Sequence, residues 1–391
     1  MQSIALYLHI PFCETKCPYC DFNTYAKIES LIPAYVSALR NEIVAWGQIL
    51  DHPDVKTIFF GGGTPSYLPP PELVSVVETI RTSFRVDSTA EVTLEANPGD
   101  FDRANLATYL DCGFNRISIG VQSLDDTLLS TLGRRHTVAD AISAFQMASD
   151  AGFKNVSIDL MYGLPYQTIE QWETTLKGAL DLGPPHISMY ALTLEGGTPM
   201  ERWVTNGQLP EPDSDLAADM YIEAQRIFDR SGYAHYEISN WAIPGFESHH
   251  NLVYWQNESY LGVGPGAHSY LQHHRFSNLK PPREYVQKLK EPLVVHRAEN
   301  KAALGLMPVV AEIEHIDTGL EMAETMILGL RLDQGINVKK FVSRFDNSPF
   351  CLYENIISDG IQKGLLEATE EAIALTNKGR LLSNEVFSQF F

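Results

Sequence analysis

The sequence predicts an α/β protein: a partial (β/α)6 barrel joined to a C-terminal, mostly helical module of winged-helix type. Three observations predict it. Short runs dense in Val, Ile, Phe, Tyr and Leu, as in strands buried on both faces, recur at Ser3–Ile10, Lys56–Phe60, Glu91–Ala96, Arg116–Val121, Asn155–Met161 and His186–Leu192. Segments with helical spacing separate them, so strand and helix alternate as in right-handed βαβ units on a parallel sheet. From about Ala311 the pattern turns helical and closes on two short apolar runs around an acidic turn, a hairpin signal. Six units are fewer than a closed eight-fold barrel requires. A curved, partly open barrel fits that count, and a doubly wound open sheet is the alternative.

The helices follow in order. The first spans Pro33–Leu50, with Pro33 pre-set for a first turn. Pro71–Phe84, Arg103–Cys112, Val138–Ala151, Ile169–Leu182 and Asp215–Ser231 come next, and the glycines of Asp150–Gly152 and Asp181–Gly183 read as helix stops. The chain turns at Pro210–Pro212, becomes rich in Gly, aromatic and His residues over Ser239–Gly266, and changes composition at Lys280–Arg283. Helices at Met322–Leu330, Val338–Phe345 and Tyr353–Lys363 precede the hairpin runs Gly364–Ala368 and Ala372–Thr376. These boundaries suggest a barrel over 1–235, a connecting segment over 236–290 and the C-terminal module over 291–391.

Charge narrows the partners. Against 29 Lys and Arg stand 49 Asp and Glu, a formal charge of −20, which repels phosphate backbones and anionic lipid. Nucleic acid is therefore not an expected partner, and the last C-terminal helix has too few basic residues to act as a DNA-reading element. The N-terminus lacks a basic stretch followed by an apolar one, and no apolar run approaches the ~20 residues of a membrane span. Of five cysteines, three fall within Cys13–Cys20, unlike an extracellular disulfide framework, so a reducing cytoplasm is expected. Cys112 and Cys351 stand alone in apolar surroundings and are expected to be buried.

Polar and glycine-rich residues gather after each strand. The cysteine run follows the first, Gly61-Gly62-Gly63-Thr64 the second and Glu95-Ala96-Asn97-Pro98 the third. Gln122 follows the fourth, Asp159 marks the fifth, and Thr193 and Glu195 follow the sixth. Carboxyl ends of strands are where parallel α/β folds build their sites. Clustered thiolates bind zinc or iron–sulfur centres. Here the spacing is C-x3-C-x2-C, so zinc would need a distant fourth ligand, with His9 a candidate. Three thiolates on a cubane cluster would leave one iron open. The glycine run is no P-loop, because the Gly-Lys-Ser/Thr ending is missing. Gly262–His268 has a superficial likeness to a dinucleotide loop but lacks the strand–turn–helix setting.

The segment Tyr7-Leu8-His9-Ile10-Pro11-Phe12-Cys13 through Cys20 resembles the signature loop of radical S-adenosylmethionine proteins. More narrowly, it is similar to the oxygen-independent coproporphyrinogen III oxidases and the HemW-type haem chaperones, and the resemblance runs the length of the chain. It implies a [4Fe–4S] cluster on Cys13, Cys17 and Cys20, with S-adenosylmethionine chelated at the open iron. It further implies cofactor contacts from Gly62, Gly63, Thr64, Glu95, Gln122, Arg134 and Asp159, with Tyr7 and Tyr19 on the adenine side. The chemistry agrees: a guanidinium suits a carboxylate, while Asp and Gln suit ribose hydroxyls. Arg135, adjacent to Arg134, is the rival for that contact.

Two departures separate the branches. The oxidases resemble C-x3-C-x2-C-x-C, whereas Phe22 stands at the fourth position here. They also carry a longer segment before the loop, where this sequence has twelve residues ahead of Cys13. Conversely, His250-Asn251-Leu252-Val253-Tyr254-Trp255 matches the H-N-x-x-Y-W motif of the chaperone branch. An imidazole can ligate haem iron and aromatic rings can stack on the macrocycle. The resemblance thus implies haem contacts from His250, Asn251, Tyr254 and Trp255, with His249 a rival ligand. The expected function is haem transfer to acceptor apoproteins, with haem as cargo and a homodimer as the family's assembly. A porphyrinogen oxidase that decarboxylates propionates is the alternative, and a radical enzyme of other substrate or a zinc protein follows.

Overall fold

The structure, a computed structural model, describes residues 3–295 and 304–391. All six anticipated strands form: β1 (Ile4–Ile10), β2 (Asp54–Gly62), β3 (Arg85–Ala96), β4 (Arg116–Gln122), β5 (Asn155–Tyr162) and β6 (His186–Ala191). Between them lie α1 (Ile32–Ile49), α2 (Pro70–Ser83), α3 (Arg103–Cys112), α4 (Asp126–Thr131), α5 (Val138–Ala151) and α6 (Ile169–Leu182). Only the short α4 is absent from the sequence reading. Side-chain oxygens of Asp102, Asp125, Thr137 and Thr168 accept first-turn amides at the starts of α3 to α6, and left-handed Gly113, Gly152 and Gly183 end α3, α5 and α6. The start of β3 was missed because Arg85–Thr89 is polar and largely exposed; it pairs with the first residues of β2, Asp54 with Arg85.

β1 to β6 lie side by side in sequence order and all pair in parallel. The order never reverses, so the sheet is singly wound and the doubly wound alternative is wrong. Ile58, Phe60, Leu94, Ile117, Ile158 and Ile187 share the main apolar core with helix residues such as Tyr35, Leu39, Val76 and Trp172. Strand side chains alternate between faces. The neighbours of these apolar residues (Thr57, Phe59, Glu91, Thr93, Glu95, Ser118, Ser157, Asp159, Ser188) therefore line a polar inner face.

After α7 (Pro199–Thr205) and α8 (Ser214–Phe228) the sheet grows at both edges to twelve strands. β7 (Ala234–Glu237) and β8 (Asn240–Ala242) extend it antiparallel beyond β6. β9 (Tyr260–Val263) pairs in parallel with β1, and β10 (His268–Leu271), β11 (His274–Asn278) and β12 (Val310–His315) follow antiparallel, with α10 (Pro282–Lys288) between the last two. These strands are short, and Gln272 and His273 make the β10–β11 turn at φ 50° and 60° without Gly or Asn. The usual hairpin signal is missing there. The Gly262–His268 loop is held by the buried Glu42 carboxylate, which accepts from Gly264 N at 2.8 Å and from the Tyr285 hydroxyl. A Cβ on Gly264 would stand 2.5 Å from the His9 carbonyl oxygen, so packing explains the glycine.

α9 (His249–Trp255) lies against the inner face of β2 and β3. The Glu91 carboxylate accepts from the first backbone amides, His249 N at 3.0 Å and His250 N at 2.9 Å, which fits the positive end of a helix.

The C-terminal module has helices Thr318–Gly329, Val338–Phe345 and Glu354–Gln362, with β13 (Ile336–Asn337), β14 (Leu366–Ala368) and β15 (Ala372–Leu375) in spatial order β13-β15-β14. These three main helices and the small antiparallel sheet, in this order, make the expected winged-helix arrangement, with shorter helices at Pro349–Leu352, Asn377–Leu381 and Ser383–Phe387. Its separate core includes Met326, Leu330, Phe341, Ile373 and Phe390. Gly335, at φ +63°, turns into β13 where a Cβ would stand 2.0 Å from the Ile373 carbonyl oxygen. Residues 296–303, within the span assigned to this module, lie outside the described residues. Cys112 is buried as expected, but Cys351 is exposed. It sits on the single turn Pro349–Leu352, where partly buried Phe350 packs on the core and the next residue points about 100° away. Among the described residues no helix is long and apolar enough to cross a membrane.

Candidate functional site

The loop after β1 folds back on itself. Cys13 N donates to Tyr25 O at 3.1 Å, Tyr25 N to Pro11 O at 2.8 Å and Cys20 N to Cys17 O at 3.1 Å. Lys16 Nζ reaches Phe22 O at 2.8 Å, and His9 Nε2 is 3.0 Å from Asn23 O. The second strand end continues this scaffold: Gly63 N donates to Ile10 O and Thr64 N to Phe12 O, both at 2.8 Å. A Cβ on Gly63 would meet Phe12 O at 2.6 Å, and one on Gly62 would meet the His9 ring at 2.6 Å. Here the glycines let β2 seat the cysteine loop, a role the sequence reading did not assign them.

The three thiols stand at a cavity of about 500 Å³ within the curve of the barrel. Tyr19, Gly62, Gly63, Thr64, Glu95, Gln122, Arg134 and Asp159 line it, so eight of the nine expected contacts converge on one space. The exception is Tyr7, which does not line the cavity: it hydrogen-bonds His9 Nδ1 at 3.1 Å and packs behind the wall residue Phe59. Arg134 is directed inward, donating to Gly120 O at 2.8 Å and reaching Cys17 Sγ at 3.5 Å, while its Nε has no partner. Arg135 also lines the cavity, but its guanidinium is taken up by Glu14 and by Asp100 at 2.6 Å, fastening the cysteine loop to the loop after β3.

Sequence reasoning placed Asn97 at the third strand end without a role, and missed several other wall residues. Asn97 joins Arg134 to Thr64, donating to Thr64 Oγ1 at 2.9 Å while accepting from the guanidinium. Ser118 donates to Asp159 at 3.1 Å, and Arg116, Ser188 and Tyr190 complete the depth of the cavity. Their alternation along β4 and β6 was the available signal. Gln122 holds φ at +66°, an uncommon conformation for a non-glycine residue and one that clusters at functional sites. Ser248 and Asn251 border the same cavity, so α9 forms part of its wall.

The remainder of the H-N-x-x-Y-W segment is placed differently. His250 is buried at 1 % exposure, its ring stacked on Phe59 at 5.0 Å. Nδ1 lies 2.8 Å from Thr57 Oγ1 and Nε2 2.9 Å from the Tyr254 hydroxyl. Both ring nitrogens are therefore occupied, and desolvation lowers the imidazole pKa to about 3. As an iron ligand His250 would first have to leave these partners; in this conformation it fastens α9 to the barrel. His249 is exposed, and Trp255 lies under the Arg331 guanidinium at 4.3 Å.

Electrostatics distinguish the cavity further. Burial, with Asp159 close by, pushes Glu95 up to about 8, opposed by a hydrogen bond from Gly62 N at 3.2 Å. Burial also raises Asp159 and the Cys13 and Cys20 thiols. A raised carboxyl is protonated in the folded state while its unfolded counterpart is ionised. Its stabilising contribution is thus complete below the unfolded value near 4.5 and is lost as pH rises through about 8. Glu95→Gln should flatten the fall in the apoprotein's Tm between about pH 5 and 8. Thermal melts across that range check it, and an unchanged slope would show that Glu95 does not titrate there.

The donor set suits a cluster bound at the loop. Three thiols, a guanidinium with a free Nε and two half-buried carboxylates border one cavity. A cubane takes three thiolates on three different irons, so the thiols need not meet at one point; among the described residues no group of three His, Cys, Asp or Glu converges closely enough to hold a single ion.

Residues 7–179 match the Radical SAM superfamily and residues 321–382 the HemN C-terminal domain. The fold is shared with coproporphyrinogen III oxidase (HemN) from Escherichia coli, described as a radical SAM enzyme, at TM-score 0.84 and 24% identity over 99% of this chain and 90% of that one. Fold and motif loop thus define a radical SAM superfamily architecture. Among curated proteins, heme chaperone HemW of Bacillus subtilis is 37% identical over 387 residues, covering 99% of this chain and 98% of its own. A mitochondrial radical S-adenosyl methionine domain-containing protein 1 from Bos taurus is 39% identical over 351 residues, 86% of this chain and 74% of its own. The chain belongs to the HemW family.

Proposed function

We propose that this protein carries haem to acceptor apoproteins and holds a [4Fe–4S] cluster and S-adenosylmethionine in the barrel cavity. The observation that carries the reading is the shared cavity wall. The three-thiol loop, the polar strand ends and Asn251 of the H-N-x-x-Y-W helix border one space, in a chain similar to a heme chaperone over nearly its whole length.

In this reading Cys13, Cys17 and Cys20 would hold the cluster, which would supply an electron to the sulfonium of S-adenosylmethionine. Arg134 orients the methionyl carboxylate, with Asn97 and Thr64 fixing the guanidinium. Thr64 Oγ1 also donates to Cys13 Sγ at 3.5 Å, so one hydroxyl serves cluster loop and cofactor wall. Gln122 and Asp159 meet the ribose, Glu95 the methionyl amine side, and Tyr19 the adenine side. Tyr7 acts from behind, through His9, to hold the cysteine loop. The α9 segment meets haem, with Tyr254 and Trp255 as its aromatic surfaces and His250 keeping the helix in place. Three free thiols at the loop suit a reducing cytoplasm. Acceptor apoproteins and a second copy of the chain are the expected partners.

Anaerobic reconstitution followed by parallel haem-binding and coproporphyrinogen-turnover assays tests the proposal. Stoichiometric haem retention, release to an apoprotein and no protoporphyrinogen are expected. Robust decarboxylation of coproporphyrinogen by the wild-type protein would overturn it.

A further inference from the structure

A second cavity, of about 900 Å³, lies between the end of α9, the β10–β11 hairpin and helices Thr318–Gly329 and Val338–Phe345 of the C-terminal module. Its size falls in the range of about 300–1,000 Å³ usual for ligand sites. Trp255, Tyr270, His273, Lys340, Arg344 and Phe345 are on its wall. It shares no residue with the barrel cavity, yet α9 borders both, through Asn251 on one side and Trp255 on the other.

His273 is the distinctive feature. Its side chain is 64% exposed at the tip of the hairpin, and its Nδ1 lies 3.0 Å from Glu321 Oε2. The other carboxylate oxygen of Glu321 accepts from Arg344 at 2.6 Å, and Arg344 also donates to Asn257 O at 2.9 Å. Glu321 is thus fixed before any ligand arrives. Nδ1 held by a fixed carboxylate leaves Nε2 as the outward lone pair, the arrangement that orients metal-binding imidazoles. Among the described residues no bond engages Nε2. Trp255, Tyr270 and Phe345 bring aromatic surface to the wall, with guanidinium groups over the Trp255 and Phe345 rings, and Trp255 Nε1 is buried without a partner. In a chain of net charge −20, Lys340 has no ion-pair partner among the described residues and stands on the same wall, where it suits a propionate. Glu258 and Glu371 also border the cavity, and Lys339 lies 3.6 Å from Glu371.

We propose that this cavity is the seat of the haem cargo, with His273 Nε2 as the axial iron ligand and Lys340 meeting a propionate. The inference rests on the haem-carrier reading and specifies where the cargo binds: at the junction of barrel and C-terminal module, not within the barrel. It assigns α9 the wall common to the cofactor and cargo sites.

Haemin titration of the full chain tests it, read by the Soret band and by electron paramagnetic resonance of the ferric complex. His273→Ala should lose affinity by about tenfold or more and shift both spectra, and added imidazole should restore the wild-type spectrum. Lys340→Glu should weaken binding severalfold and leave the spectrum unchanged. His273 and Lys340 are exposed, so both variants should keep the parent's melting midpoint. If wild type binds haem and His273→Ala binds it with the same affinity and spectrum, this assignment is wrong while the carrier reading stands. If wild type binds no haem, both fail.

Discussion

Replacing any one of Cys13, Cys17 or Cys20 with Ser is expected to abolish stable cluster assembly, the largest single effect available in this chain. Reconstituted wild type should show broad visible absorption together with iron and acid-labile sulfide, and each Ser variant should lose most of all three. A hydroxyl is a far harder ligand than a thiolate, and soft sulfur ligands are what select iron–sulfur centres. The fold should survive the change. The loop is closed by backbone bonds to Pro11 and Tyr25 and by Lys16 on two carbonyl oxygens, none of which uses a thiol. Apoprotein melts should therefore stay within about 1 kcal/mol of the parent. Full iron and sulfide content in a single-Ser variant would falsify the assignment of three ligands.

His250→Ala is expected to destabilise the apoprotein by about 2–4 kcal/mol, through the cavity it leaves and the two hydroxyls it orphans. Those are Thr57 Oγ1 and the Tyr254 hydroxyl, and the Phe59 stacking partner is lost as well. The change should loosen α9 and with it both cavities. Loss of haem binding in His250→Ala alone is thus ambiguous between ligation and packing. Denaturant melts without haem separate the two: a stability equal to the parent would show that His250 does not hold the helix. His250→Gln, which can keep one of the two hydrogen bonds, should recover part of the loss.

The periodicity of the chain disclosed the barrel because its strands are buried on both faces and its helices carry strong stop signals. Helices α3, α5 and α6 match their anticipated bounds residue for residue, each ending at a left-handed glycine. The outer strands escaped notice for an equally physical reason. β7 to β11 span three to five residues each, too few for alternation to register, and the β10–β11 turn uses Gln272 and His273. Similarly, Asn97, Ser118 and Ser188 are ordinary polar residues in sequence, and they become wall residues only because β3, β4 and β6 curve around one space.

The cysteine spacing, the glycine run and the H-N-x-x-Y-W segment were legible in the sequence because each is a local pattern, and local patterns specify chemistry. Their relation to one another was not. Tertiary structure decided that Gly62 and Gly63 seat the cysteine loop, that Arg134 rather than Arg135 is directed inward, and that His250 is buried with both nitrogens engaged. It also brought His273 and Glu321, forty-eight residues apart, to 3.0 Å. Such contacts depend on which faces of distant elements meet, and no spacing along the chain encodes them.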